Sequence, residues 1–302
     1  MEKKDNSPKV SVVIPTYKRP QQLPRAVNSV LNQTYDNVEV IVVDDNNPDT
    51  EGRKLTEEIM SQYENNDRVI YLKHECNKNG SAARNTGARY SKADYIGFLD
   101  DDDEYLPEKI SSQVKLLEGL PKDWGFSYSR FYDDINGKRT FSTETRQGYL
   151  YLEGLMRTLC FAAGSNLLIR KELFDEVGGF DESFQRTQDL ELQAKLLMKS
   201  KVAYDPTPGL VVYVHTENRK ADIDQLTEFY IQSFQKHIET LSVSDQQLLF
   251  KELNKQRFFD HLRSDKSISK CFKMLVRKEL TLFDAISAIW RRGFLYLKRK
   301  LT

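Results

Sequence analysis

The chain has 302 residues, enough for one large domain or for one domain with an appendage. Lys plus Arg and Asp plus Glu each number 45, so the formal net charge is zero and no global basic field exists to hold nucleic acid. Charged residues at 30% and aromatics at 11% suit a well-packed globular protein better than a disordered one. Cys76, Cys160 and Cys271 lie far apart with no Cys-x-x-Cys pair, which suggests neither a zinc site nor a disulfide framework. A reducing, cytoplasmic setting is expected. Residues 1–9 are polar and lack the apolar core of a signal peptide. No apolar run approaches the ~20 residues of a membrane span.

Val10 to Ile14 is a β-branched run ending at Pro15 and reads as a buried strand. Gln22 to Gln33 carries Leu23, Val27, Val30 and Leu31 at helical spacing. Val38 to Val43 is a second buried strand, stopped by Asp44 to Pro48. A helix is expected over Leu55–Tyr63, a strand over Val69–Leu72, a helix over Ser81–Ser91 opened by Gly80, and a strand over Tyr95–Leu99. This alternation argues for an α/β fold with a parallel sheet. Ligands of such sheets lie beyond the carboxyl ends of the strands. The polar segments after three strands, Pro15-Thr16-Tyr17, Asp44-Asp45 and Asp100 to Asp103, should therefore meet at one edge. From Trp124 to His215 the pattern is mixed, with a helix over Asp189–Lys199 and a strand over Val211–Val214. Beyond Asn218, helical patterns continue to the C-terminus. The expected division is residues 1–218 as catalytic domain, split at about 120, with 219–302 as a helical extension.

Four adjacent aspartates repel one another, and a bound cation would relieve the repulsion. Mg²⁺ and Mn²⁺ prefer carboxylate oxygen together with substrate phosphate. Asp100 and Asp102 would share a side if the chain stays extended. A solvated acidic turn is the competing reading. Asp45 could accept the N3–H of a uracil ring or close an Asx turn before Pro48. Tyr17 could stack on a base or simply pack. Arg84, in the first turn of a helix, opposes the macrodipole or is a surface charge.

The segments VSVVIPTYKRP, VIVVDDN, GSAARNTG and YIGFLDDDDEYLPEKI follow one another in order. With GSNLLIRKELFDEVGGFDESF and TQDLELQAKL after them, the chain resembles the family 2 glycosyltransferases of GT-A fold, from about Val10 to about His215. The resemblance implies a Rossmann-like, mostly parallel sheet flanked by helices. It implies that Pro15, Thr16 and Tyr17 contact the nucleotide, with Tyr17 against the base. Asp45 matches the carboxylate that reads the uracil imide, and Arg84 the basic residue near base and phosphate. Asp100, Asp101 and Asp102 match the DxD region, with Asp102 and Asp100 toward the metal and Asp101 near the ribose. Asp189 matches the general base. Gln188 stands where the family usually carries Glu. His215 matches a position that in some relatives approaches the diphosphate or metal. The processive synthases' Gln-x-x-Arg-Trp motif is absent, so addition of one sugar is expected.

The implied activity is inverting transfer of a sugar, from a UDP-sugar first of all, to an acceptor hydroxyl. The cofactor is Mn²⁺ or Mg²⁺, and the acceptor a glycan or lipid-linked sugar of bacterial surface polysaccharide. Phe283, Ile286, Trp290, Phe294, Leu297 and Leu301 recur at three- or four-residue spacing among Arg291, Arg292 and Lys298 to Lys300. Such a basic amphipathic helix either lies on an anionic membrane or docks on the protein. Three other readings compete. A haloacid-dehalogenase-like phosphatase also carries DxD after a strand. A nucleotidyltransferase would need a Gly-rich phosphate loop near the N-terminus. A non-catalytic sugar-nucleotide-binding module is the third.

Overall fold

The computed structural model describes residues 7–214, 222–263 and 267–290. In chain order the first part runs β1 (Val10–Thr16), α1 (Leu23–Leu31), β2 (Val38–Asp44), α2 (Glu51–Ser61), β3 (Val69–Lys73), α3 (Gly80–Tyr90) and β4 (Tyr95–Phe98). It continues through β5 (Glu104–Tyr105), α4 (Lys109–Glu118), β6 (Trp124–Ile135), β7 (Lys138–Phe141), α5 (Tyr151–Leu155) and α6 (Ala163–Asn166). It closes with β8 (Leu167–Arg170), α7 (Lys171–Glu176), α8 (Gln188–Lys199) and β9 (Lys201–Tyr213). Then come α9 (Ile223–Ser233), α10 (Gln235–Ile238), α11 (Val243–Arg263), α12 (Ile268–Val276) and α13 over residues 282–290.

The sheet order is β3-β2-β1-β4-β8-β6-β9-β5, with β7 on β6. β3, β2, β1 and β4 are parallel; β8 enters antiparallel between β4 and β6, and β6 pairs parallel with β9. β2 is buried throughout because both faces of the sheet are covered. Val13, Ile41, Val43, Ile96 and Phe98 enter one hydrophobic cluster, and Val12, Ile14, Val40, Val42 and Tyr95 the other. That alternation is the period of two that puts successive side chains on opposite faces.

Helix starts differ from the apolar pattern where caps decide them. α2 begins at Glu51, ahead of Leu55, because the Thr50 hydroxyl accepts from Arg53 N at 3.3 Å. α3 is capped by Asn79, whose side chain accepts from Ala82 N at 3.1 Å. The described residues fall into two compact units. One lies within Met1–Tyr151 and Leu159–Val214, the other within Leu152–Thr158 and His215–Thr302. The short segment joins the helical unit because Tyr230 Oη donates to Leu155 O at 3.2 Å and Gln256 Nε2 to Met156 O at 2.7 Å. A single cut near residue 218 does not reveal that exchange. Among the described residues no helix is long and apolar enough to cross a membrane.

Candidate active site

The carboxyl ends of β1, β2 and β4 meet, as their topology requires. Asp45 N donates to Thr16 O at 2.9 Å, and Thr16 Oγ1 donates to Asp101 Oδ2 at 2.8 Å. The aspartate run is not extended. Asp103 N donates to Asp100 O at 3.0 Å, closing a turn over residues 100–103. Asp100 and Asp102 therefore do not share a partner, contrary to the expectation for an extended chain. Asp100 pairs with Arg84, and Asp102 pairs with Arg19. Arg19 also reaches Asp101 Oδ1 at 3.1 Å, and Arg25 donates to the Asp102 carbonyl at 2.5 Å. Asp103 accepts from the Ser165 hydroxyl at 2.6 Å and from Tyr213 N at 3.1 Å.

Charge crowding shows in the proton affinities. Burial pushes the Asp101 carboxyl up to about 7, with Asp102 and Asp100 adding to it, while Arg19 and the Thr16 hydroxyl pull the other way. Burial, with Asp100 and Asp102 as neighbours, also raises Asp103 well above its ordinary value.

Arg84, Asp100, Asp103, Ser165, Gln188 and Asp189 all line one cavity of about 330 Å³. Arg84 is 8% exposed and so is no surface charge. It spans from α3 to Asp100 and to Gln188 Oε1 at 3.4 Å, while its buried Nε makes no hydrogen bond. Gly164 leaves room for Asp100, since a Cβ there would lie 3.3 Å from Asp100 Oδ2. Asp189 stands in the first turn of α8. Burial raises its carboxyl above the ordinary value; Asp100 adds to the rise and Arg84 opposes it. Thr187 and Ala162 at the cavity wall have φ of +57° and +53°. Left-handed backbone at such residues is strain of the sort functional sites retain.

The other expected contacts are spread along the same strand ends. Pro15 lies within β1 opposite Val43, and Tyr17 is 39% exposed beside Lys18. Asp45 is buried and surrounded by donors. Lys78 N and Asn79 N approach at 2.8 and 3.0 Å, His74 Nδ1 at 2.7 Å and Asn77 Nδ2 at 2.8 Å. The Asx-type turn belongs instead to Asp44, whose Oδ1 accepts from Asn46 N at 2.9 Å. His215 lies outside the described residues. Arg19, Arg25, Ser165 and His74 escaped the sequence reading, and Asp103 entered it only as one of the four aspartates, with no role of its own. Only the position of Arg19 just past the first strand hinted at its place.

The exposed carboxylate at the cavity is Asp100, whose hard oxygens are the donor type Mg²⁺ and Mn²⁺ take, while Asp103 is buried and hydrogen-bonded. Among the described residues no three His, Cys, Asp or Glu side chains are grouped to hold an ion. The oxygens thus suit a cation that arrives with a phosphate-bearing ligand, since Mg²⁺ is commonly bound through one or two carboxylates and substrate phosphates.

A mixed α/β sheet with a parallel β3-β2-β1-β4 half, an acidic turn at its carboxyl edge and a second carboxyl across the cavity is the architecture of a GT-A glycosyltransferase. The chain belongs to glycosyl transferase family 2, whose model matches residues 11–178. It is 32% identical over 237 residues to an uncharacterised glycosyltransferase of Rickettsia typhi, covering 76% of this chain and 71% of that one. It is 32% identical over 162 residues to the Escherichia coli UDP-Glc:alpha-D-GlcNAc-diphosphoundecaprenol beta-1,3-glucosyltransferase WfaP, covering 53% of this chain and 60% of that one. The fold is similar to that of S. aureus TarS 1-349 in complex with UDP-GlcNAc. The TM-score is 0.66 at 15% identity, over 93% of this chain and 79% of the other. Family membership removes the phosphatase and nucleotidyltransferase readings.

Proposed function

We propose that the protein transfers a single sugar from a UDP-sugar to an acceptor hydroxyl with inversion at the anomeric carbon. The observation that carries this reading is one cavity joining Asp189 at the start of α8 to Asp100 and Arg84 of the nucleotide half. The acceptor oxygen forms its bond to the anomeric carbon as the bond to the β-phosphate oxygen breaks, and that oxygen keeps the electron pair. Asp189 takes the acceptor proton, with burial favouring proton uptake. Arg84 faces the leaving diphosphate with positive charge. Pro15, Thr16, Tyr17 and Asp101 line the nucleotide side, and Asp45 holds the 74–79 loop against it. Asp100, with Asp102 once its pairing with Arg19 is given up, would hold Mn²⁺ or Mg²⁺, which when bound supplies Lewis-acid stabilisation to the diphosphate.

WfaP uses UDP-Glc with a lipid diphosphate-linked sugar, which favours a UDP donor and a lipid-linked glycan acceptor here. Nucleotide sugars are cytoplasmic and such acceptors are membrane-borne, so the reaction belongs at the inner face of a bacterial membrane. The test is a panel of UDP-, GDP- and CDP-sugars scored for released nucleoside diphosphate, with and without Mn²⁺. Preference for GDP- or CDP-sugars would overturn the donor, and full turnover in EDTA would overturn the metal. A wild type that binds UDP-sugars without turning them over would favour the binding-module reading, to which Gln188 in place of Glu lends its support.

A further inference from the structure

The helical unit carries apolar side chains on the outside as well as the inside. α12 buries Cys271 and Met274 in a cluster with Phe258, Leu280 and Ala285. Its residues Ile268, Phe272 and Val276, one helical turn apart, are 75%, 66% and 63% exposed. α13 repeats the arrangement. Ala285 and Ala288 are buried, while Phe283 and Trp290 are 78% and 74% exposed and Leu282, Ile286 and Ile289 also face outward. These outer residues of α13 span an arc of about 120° at about 100° per residue. Scattered exposed apolar residues need no explanation, but continuous stripes on two successive helices do.

Charge says what covers them. Residues 267–302 hold nine Lys or Arg against two acidic residues, Glu279 and Asp284, in a chain that is neutral overall. Both acids are engaged: Asp284 Oδ1 with Lys251 at 2.7 Å, and Glu279 Oε2 with Arg257 at 3.5 Å. A second copy of the same surface would bring like charges together. Of that excess of positive charge, Arg291, Arg292, Lys298, Arg299 and Lys300 belong to the sequence beyond residue 290. An anionic surface that takes up apolar side chains satisfies both requirements. We propose that α12 and α13 form a peripheral docking surface for an anionic lipid bilayer. Phe272, Phe283 and Trp290 enter the headgroup–acyl boundary while Lys273, Arg277 and Lys278 face the headgroups. The stripe on α12 was not evident in the sequence and widens the surface beyond the terminal helix. The inference agrees with a membrane-borne acceptor but rests on the helical unit alone.

The experiment is flotation of the full-length protein with phosphatidylglycerol-rich vesicles and with phosphatidylcholine vesicles, without sugar nucleotide. Binding is expected to phosphatidylglycerol only, and to weaken as salt rises from 0.1 to 1 M and the Debye length falls from about 10 to about 3 Å. Lys273→Gln with Arg277→Gln should weaken it about fivefold for each charge. Phe272→Ser with Trp290→Ser should weaken it at least about tenfold. Both pairs are solvent-exposed, so the melting temperature and transfer to a water-soluble acceptor should stay at wild-type values. Equal binding to neutral vesicles would overturn the role of charge. No vesicle binding, with concentration-dependent dimerisation lost in Phe272→Ser/Trp290→Ser, would assign the surface to a second copy and overturn the proposal. Vesicle binding by a protein that transfers no sugar would sustain it while sinking the catalytic reading.

Discussion

Arg19 is a built-in counter-cation to the carboxylates expected to receive the metal, so its removal should strengthen metal binding. Its guanidinium pairs with Asp102 and lies 3.1 Å from Asp101 Oδ1. Two unit charges 4 Å apart attract by about 1 kcal/mol in water and about 4 kcal/mol at an effective dielectric of about 20. The Arg19 side chain is 38% exposed and those of its partners are 6% and 12%, which puts the pair between these limits. A value near 2 kcal/mol corresponds to about 30-fold in affinity. Arg19→Gln should therefore bind Mn²⁺ about 30-fold more tightly than wild type without nucleotide, while Arg19→Lys should stay near wild type. Electron paramagnetic resonance of free Mn²⁺ gives the titration directly, without reference to activity. If Arg19→Gln and wild type bind Mn²⁺ equally, Arg19 does not compete with the cation, and the assignment of Asp102 to the metal fails with it.

Asp189→Asn preserves size but cannot accept a proton, so turnover should fall by about 10²–10⁴-fold with UDP affinity unchanged by calorimetry. Because the Asp189 carboxyl is raised above 3.8, kcat/KM should fall on the acid side through a pKa above 3.8, the base being active only when deprotonated. An acid limb at or below 3.8 would remove it from that role. Asp45→Ala leaves the buried His74 Nδ1 without its acceptor, which costs about 1–3 kcal/mol for a group stranded in the interior, while Asn77 Nδ2 keeps the Asp45 carbonyl at 3.0 Å. A lower melting temperature should accompany any loss of UDP affinity; weaker UDP binding at unchanged stability would mean Asp45 acts on the base alone. In the helical unit Asp224 sits at about 2. Burial works against that value, but the hydrogen bonds from Arg257 and His261 overcome it. Its contribution is present above 3.8 and lost as pH falls toward about 2, so acid unfolding of α9 and α11 should begin earlier in wild type than in Asp224→Asn measured against its own neutral-pH stability.

The strands were legible because β1, β2 and β4 are apolar runs that stop at polar residues, and the parallel order follows from their alternation with helices. The meeting of Thr16, Asp45 and Asp101 was legible for the same reason. Side-chain direction was not. Whether Asp100 and Asp102 act together depends on a turn closed by one hydrogen bond between Asp103 N and Asp100 O, which composition does not encode. Arg84 by itself left a surface charge and a functional arginine both open, because nothing in the sequence says that Gly80, whose Cβ would lie 2.9 Å from Arg84 Nη1, leaves it a path inward. The α12 stripe was missed because Cys271 and Met274 are apolar too, so the pattern does not say which apolar face is inside.

The aspartate run shows how one signal can carry several functions. Four adjacent carboxylates pose a repulsion problem, and the sequence suggests a cation as the remedy. The protein supplies most of the remedy itself. Asp103 is held by a hydroxyl and a backbone N–H, and Asp101 by Thr16 and Arg19. Asp102 is paired with Arg19 at 12% exposure. Asp100, 37% exposed and opposed by a nearly buried Arg84, keeps an open side toward the cavity. The unresolved negative charge is thus delivered to the place where Asp189 also stands. A neutral Gln188 matters there: it accepts from Arg84 without cancelling its charge, whereas a carboxylate at that position would draw the guanidinium toward α8. Arg84 thus keeps one direct ion pair, with Asp100, and a buried Nε without a hydrogen bond, on the wall of the cavity that Asp189 shares.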